Sequence, residues 1–416
     1  MRGSRLWAHR RTPHRSWEFI ADGVPLAIDL RSEHDTRRFG RSSAIAEAEV
    51  ATVAERILPM LTGYRPASTE PVAALDVRLD RGAVTMRHRA GSPKLPDASP
   101  QERPSGWVGF QSSTTIADPL YVPFAVDQWI SDASLASAPA NTVRLHAAGF
   151  ELDGETWLVV GDSGSGKSTV ALRALAAGAT YLSDERMTVH RGGRVTGLRR
   201  PVRSRDTHET VRRLVGEHQP IGRDAFRTLV PAEMTDDSPR SCSRLVLFSD
   251  DDISGWTRPA VVRALARSSQ DLAREGPAGL IRLCELAASA SVWICAPRSV
   301  EDLRKLGPAA LGPLNESATV AELSVASGDG PSGWEVTDGV SAVSVGAEAV
   351  VWVPGPQQSV IGLNAAATDA WRSWAGSVPD HSQDDDFCEA LEACGVLQRA
   401  QPHPGGHQAS GSATGL

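Results

Sequence analysis

Apolar residues crowd two short strand-like runs, 24–30 and 73–79, and between these runs alanines and leucines recur at helical spacing over 43–61. A short apolar run suits a strand, and the longer period an amphipathic helix. Residues 17–110 therefore read as a small α+β region. It follows a basic segment, 1–16, that no apolar run extends, so a flexible tail is expected there rather than a signal peptide. A stretch rich in Pro, Ser and Gly over 91–106 closes the region.

Val122, Phe124, Ala125, Trp129, Ile130 and Leu135 next predict a helix over 121–136. Strands are expected at 143–145, at 150–152 and at 157–160, the last two joined by the turn Asp153-Gly154-Glu155. A helix rich in Ala, Leu and Arg over 169–177 stops at Gly178, a short strand follows at 181–183, and a hairpin of 187–190 with 195–198 turns at Gly192-Gly193. Further strands at 243–248 and 291–295 alternate with helices at 261–267, 280–287 and 300–306. Such alternation predicts an α/β domain spanning 118–314. After a Gly/Ser/Pro linker, 327–333, strands at 342–345, 349–353 and 360–364 lead into helices at 365–374 and 385–394. These form a third region, 328–400, ahead of a second expected tail, 401–416. No internal repeat is visible.

The 416-residue length suits two or three such domains. A formal charge of -7 argues against a nucleic-acid partner, and no segment reaches the ~18 to 20 apolar residues of a membrane span. The five cysteines, Cys242, Cys284, Cys295, Cys388 and Cys394, form no CxxC pair, which fits a reduced, cytoplasmic setting.

The run Gly161-Asp162-Ser163-Gly164-Ser165-Gly166-Lys167-Ser168 satisfies G-x-x-x-x-G-K-[ST], and it lies between a predicted strand and a predicted helix as a P-loop must. Its glycines let backbone N–H groups curl around phosphate oxygens, and the helix N-terminus adds partial positive charge. Lys167 is expected on the β- and γ-phosphates of ATP, Ser168 on Mg2+, and Thr169 beside them. Lysine is otherwise rare: the chain holds only Lys94, Lys167 and Lys305, with arginine carrying the remaining positive charge. Chance alone gives such a motif on the order of once in a few hundred chains of this composition.

Asp184 and Glu185 end the strand after the loop, where one carboxylate can take a hydroxyl proton and the other help hold magnesium. Alone, the pair also reads as a solvated acidic turn, and His146 as an ordinary core histidine. Arg199, Arg200 and Arg203 follow the hairpin as candidates to neutralise a triphosphate or draw in an acidic peptide, or as a solvated loop.

In order and spacing, Leu145-His146-Ala147-Ala148-Gly149, the loop 161–168 and Leu182-Ser183-Asp184-Glu185 resemble the HPr kinase/phosphorylase family and its HprK-like relatives. The resemblance covers 143–202 most closely and reaches more loosely to about 314. It implies a P-loop fold of the HprK/PEP carboxykinase kind, with Asp184 as general base, His146 in contact with that centre, and Glu185 at the metal in place of a second aspartate. The family's later glycine-rich signature is missing, so the reverse, phosphorolytic reaction is not expected. Members are often oligomers, which leaves room for a homo-oligomer here.

The third region carries Leu363-Asn364-Ala365-Ala366-Ala367-Thr368-Asp369-Ala370-Trp371 between its strands and helices, and ends on Gly395-Val396-Leu397. In this order of elements it resembles PqqD-like winged-helix domains, which recognise precursor peptides in ribosomal peptide biosynthesis. A packing domain that caps the kinase is the alternative. The resemblances together imply a kinase that transfers phosphate from ATP to a Ser or Thr hydroxyl of a precursor peptide whose leader is bound by residues 340–400. Action on another protein or a small hydroxylated metabolite, or a nucleotide-switched peptide-binding protein, are the competing expectations.

Overall fold

Strand β1 (His14–Ala21) folds back on β2 (Val24–Ser32) through Asp22, whose φ of 54° makes the turn, and the two pair from His14–Arg31 to Ala21–Val24. Residues 14–16, expected in the tail, thus begin a strand, and the alternation of Trp17, Phe19 and Ala21 towards the core explains it. Helix α1 (Ser42–Leu61) crosses over to place β4 (Ala73–Asp80) parallel to β2, after the short β3 (Arg65–Pro66). With β5 (Ala83–His88) and β6 (Ser113–Ile116) these make a six-stranded sheet of order β3-β1-β2-β4-β5-β6. Helix α2 (Val122–Ala136) sets Val122, Val126, Trp129, Ile130 and Ala133 into the core beneath it, beside Val50, Val53 and Ile57 of α1.

The computed structural model describes residues 14–22, 24–32, 42–61, 64–80, 83–89, 92, 113–116, 121–200, 202–205, 220–221, 226–229, 238–249, 256–295, 299–314, 320–323, 334–355, 359–374 and 385–399. The linker expected at 327–333, most of the loop at 91–106 and the tail 401–416 lie outside them. The chain divides into two units, Met1–Trp256 with Ala264–Pro313, and Thr257–Arg263 with Leu314–Leu416. Both sides of the break expected near residue 110 fall in the first unit, as the packing of α2 into the N-terminal core requires.

Within that unit, β7 (Val143–Leu145), β8 (Ala147–Leu152), β9 (Glu155–Val160), α3 (Lys167–Ala176), β10 (Thr180–Ser183), β11 (Met187–Val189) and β12 (Arg194–Gly197) follow in close succession. The backbone also forms a small sheet from β13 (Val202–Arg205), β14 (Pro220–Ile221) and β15 (Phe226–Leu229). Strands β16 (Arg240–Ser241) and β17 (Arg244–Leu247) come next, then α4 (Arg258–Arg267), whose residues up to Arg263 are assigned to the second unit, α5 (Leu272–Ser289), β18 (Ser291–Ile294) and α6 (Val300–Arg304). A five-stranded sheet runs β10-β8-β9-β17-β18, with β9, β17 and β18 parallel, and a four-stranded one runs β16-β12-β11-β7. Helix α5 starts at 272 rather than 280. Gly276 (φ 56°, ψ -135°) breaks it ahead of Pro277, and the break hides its first turn from the helical period.

The second unit holds β19 (Val320–Leu323), β20 (Trp334–Val336), β21 (Ser341–Val345), β22 (Glu348–Val353), β23 (Ser359–Leu363), α7 (Ala365–Trp374), α8 (Asp385–Ala393) and β24 (Leu397–Arg399). Its antiparallel sheet runs β19-β21-β22-β23, and β20 pairs with β24. Trp334, Val351, Trp371, Leu391 and Val396 meet in its core. The chain is therefore a mixed α/β protein with several sheets. Among the described residues no helix is long and apolar enough to cross a membrane.

Candidate functional site

Strand β9 lies in the middle of the five-stranded sheet, between antiparallel β8 and parallel β17, and delivers the chain into the loop at Gly161. Two loop glycines are required by conformation: Gly164 has φ 83° and Gly166, the N-cap of α3, φ 105°. Gly161 is required by space, since a Cβ there would lie 2.7 Å from Cβ of Phe248. The N–H of Ser165 donates to the Asp162 carbonyl at 3.2 Å, and that of Val170 to Gly166 at 3.0 Å as the helix starts. The N–H groups of the first turn are the ones an α-helix leaves without internal partners, so the loop and helix end together have the backbone geometry that an anion would need.

Lys167 is 4 % exposed and donates from Nζ to the carbonyls of Gly161 at 2.7 Å and Asp162 at 2.9 Å. Burial pulls its pKa down, against the nearby charges of Glu185 and Asp162. Next to it, the Ser168 hydroxyl donates to the Asp184 main-chain oxygen at 3.4 Å. Thr169, half-buried, follows on the same turn.

Strand β10 ends at Ser183, whose hydroxyl accepts from the N–H groups of Glu185 (3.4 Å) and Arg186 (3.2 Å) and so curls the acidic pair into a turn. The Asp184 side chain is 2 % exposed, and its Oδ1 accepts from the Tyr181 hydroxyl at 2.8 Å. Burial and Asp184 push the Tyr181 pKa well up, so the phenol remains a donor. Glu185 is more open, at 24 %, with Oε1 3.5 Å from Nδ1 of His146. His146 occupies the break between β7 and β8, where its N–H donates to Ser268 at 2.7 Å and its Nδ1 lies 3.1 Å from the Glu185 main-chain oxygen. The loop, Asp184, Glu185 and His146, which the sequence singled out from separate segments, thus form one site.

Three further residues complete it. Arg200 is buried, with Nη1 3.0 Å from Asp127, Nη2 3.1 Å from Glu185 and Nε 3.7 Å from Asp184. Burial opposes its charge, but Asp127, Glu185 and Asp184 outweigh that and hold its pKa well above the ordinary value. Arg200 is thus turned inward onto the chain's own carboxylates. Arg199 is half-buried, and the side chain of Arg203 lies outside the described residues. Asp127 was not legible in the sequence, and neither was Arg186, which is buried and bonded from Nη1 to Ser134 Oγ at 2.8 Å and from Nη2 to Ser131 Oγ at 2.6 Å. Nothing local marks these partners, which lie 52 to 73 positions away in the chain.

Among the described residues no three His, Cys, Asp or Glu side chains cluster as a self-contained metal cage. In the second unit, Asn364 Oδ1 accepts from the Ala367 N–H at 2.8 Å, the Thr368 hydroxyl donates to the Asn364 carbonyl at 2.8 Å, and Trp371 enters the core. These account for the Leu-Asn-to-Trp signal as a helix start. Strand β23 ends the sheet, and a cavity of about 540 Å³ beside it is lined by Val353, Pro354, Ser359, Ile361, Ala393 and Cys394, among others. No protein-family model matches the chain, and no curated protein sequence matches it.

Proposed function

We propose that the chain is an ATP-dependent, HprK-like kinase that phosphorylates a Ser or Thr hydroxyl of a ribosomally made precursor peptide. The observation that carries this reading is the juxtaposition of an anion cradle with an acidic pair, linked by the Ser168–Asp184 hydrogen bond. The cradle fits a triphosphate: its glycines are needed by φ or by space, and Lys167 can exchange two loop carbonyls for phosphate oxygens. Ser168 and Glu185 would hold Mg2+ together with phosphate oxygens and water, as magnesium sites of this type do without an all-protein cage. Bound there, the ion would neutralise charge on the phosphates.

The chain's own residues would do the rest. Lys167 orients the β- and γ-phosphates, while His146 and Arg200 orient Glu185. The acceptor hydroxyl gives its proton to Asp184 as its oxygen bonds to the γ-phosphorus, and the bond from that phosphorus to the bridging oxygen breaks to leave ADP. One observation favours a second assignment. Asp184 is nearly closed off by Tyr181, whereas Glu185 is open and beside His146, so Glu185 is the rival base.

The second unit supplies recruitment in this reading, as a PqqD-like domain. An extended leader would add to the outer edge of β23, with side chains entering the adjoining cavity. A nucleotide-switched peptide binder is the competing function. Incubation of the full chain with MgATP and a leader-bearing peptide, followed by mass spectrometry, separates them: a kinase adds one phosphate to Ser or Thr, whereas a switch leaves the peptide unmodified and changes only its affinity.

A further inference from the structure

Helix α2 presents two buried stripes. Its apolar positions Val122, Val126, Trp129, Ile130 and Ala133 enter the N-terminal core, and Asp127, Ser131 and Ser134, at i, i+4 and i+7, form a polar stripe that is buried as well. A polar stripe in an interior is costly unless its members are bonded. Here it meets the two arginines that flank the acidic pair. Ser131 and Ser134 take Arg186, the residue directly after Glu185, and Asp127 takes Arg200 at 3.0 Å. Arg200 in turn reaches Glu185 at 3.1 Å and approaches Asp184 to 3.7 Å. A planar guanidinium that satisfies Asp127 and Glu185 at once has its orientation set at both ends.

We infer that Asp127 is a positioning residue for phosphoryl transfer, holding Arg200 in the one orientation that aligns the Glu185 and Asp184 carboxylates beneath the phosphate loop. This rests on the kinase reading above. It makes the N-terminal sheet and α2 a scaffold for the acidic motif, and it gives a reason for a charged residue at a position that the apolar pattern would otherwise fill. Asp127 acts on the site through Arg200 and the acidic pair, so transfer should respond to its loss more strongly than nucleotide binding.

The test uses the full chain with Asp127→Asn and Asp127→Glu. Hydrolysis at saturating MgATP should fall by about 10- to 100-fold in Asp127→Asn, the usual loss when a supporting partner of a site is removed. The KM for ATP should stay within about twofold, and Asp127→Glu should recover part of the rate. Hydrogen exchange, measured without nucleotide, should become about tenfold faster at Arg186 and Leu198, whose amides are bonded within the motif, and stay unchanged over β4 and β5. Breaking one side of a buried ion pair can unfold a protein, so Asp127→Leu combined with Arg200→Met is made as well, removing both charges together. That pair should melt near the parent temperature and still hydrolyse slowly. Parent-like turnover in Asp127→Asn or in the double variant, or unchanged exchange at Arg186 and Leu198 in Asp127→Asn, overturns the inference. A parent protein that neither binds nor hydrolyses MgATP removes the kinase reading instead, and the exchange measurement still decides whether Asp127 holds the motif.

Discussion

The Ser168 hydroxyl donates to the main-chain oxygen of Asp184 across 3.4 Å, tying the first turn of α3 to the end of β10. One hydrogen bond thus joins two segments of opposite electrostatic character: a helix N-terminus, whose partial positive charge favours anions, and a turn that carries two carboxylates. A cation between them is the natural complement, and the proposed magnesium and triphosphate follow from that contrast.

Lys167→Ala should weaken the affinity for a non-hydrolysable ATP analogue about 10- to 100-fold, the worth of a hydrogen bond to a charged group. Isothermal titration of the two proteins checks it. Equal affinities would mean that the loop between β9 and α3 is not a phosphate cradle.

Asp184→Asn and Glu185→Gln should both keep the analogue's affinity close to the parent value while lowering turnover. The general base should lose at least about 10²-fold, since the amide keeps the shape but cannot take the proton. The buried Asp184 and the open Glu185 are distinguished by metal: the variant at the magnesium ligand should also need more Mg2+ for half-maximal rate. A larger loss in Glu185→Gln, with unchanged magnesium dependence, would exchange the two roles.

How far these residues could be found in advance depended on the range of the interactions that place them. The strand, loop and helix around Lys167 were legible because the strand, glycines, lysine and helix are contiguous, and α7 was legible because Asn364, Thr368 and Trp371 act within two turns. His146, Asp184 and Glu185 were found through motif order, but the contact of His146 with Glu185 depends on the pairing of β8 with β10 and of β7 with β11. Asp127 and Arg186 had no local signature at all. On α2 a buried aspartate looks like a solvent-facing one until Arg200 is placed against it. The same limit hid β1, whose first residues His14, Arg15 and Ser16 are exposed and polar and gain strand geometry only from pairing with Arg31, Leu30 and Asp29.

The outer side of the N-terminal sheet offers a pH test. Burial pushes the Asp29 carboxyl up, but hydrogen bonds from Ser16 and Arg89 and the Arg89 charge outweigh it and leave its pKa below the ordinary 3.8. A folded pKa below the unfolded one stabilises the fold above pH 3.8, and that contribution is lost as pH falls through the folded value. Arg89→Ala should therefore lower stability by about 1 kcal/mol or less near neutrality, because Arg89 is partly exposed. Thermal melts from pH 7 downward should show the gap closing below pH 3.8. A gap of constant size at all pH values would assign the effect to lost packing of the arginine stem.

The recruitment reading is tested through Cys394, which is exposed and lines the cavity beside β23. Cys242, Cys284 and Cys388 are buried, and burial pushes the Cys242 thiol up to about 12, so a thiol reagent near pH 8 should reach Cys394 well before these three. Half-buried Cys295, whose pKa burial also raises, should react more slowly. A bulky maleimide on Cys394 would then stand where a leader added to β23 has to pass its side chains. The labelled protein should bind the ATP analogue as before and phosphorylate a leaderless acceptor at its original, low efficiency. Towards the leader-bearing peptide its KM should rise at least about tenfold with little change in kcat, because the leader acts by raising the local concentration of the acceptor and not in the chemical step. The Cys394→Ser protein, treated in the same way, should keep its parent KM, which separates blockage at this position from labelling at Cys295. Full retention of the leader preference in the labelled protein would place the peptide elsewhere and leave the second unit as a packing domain.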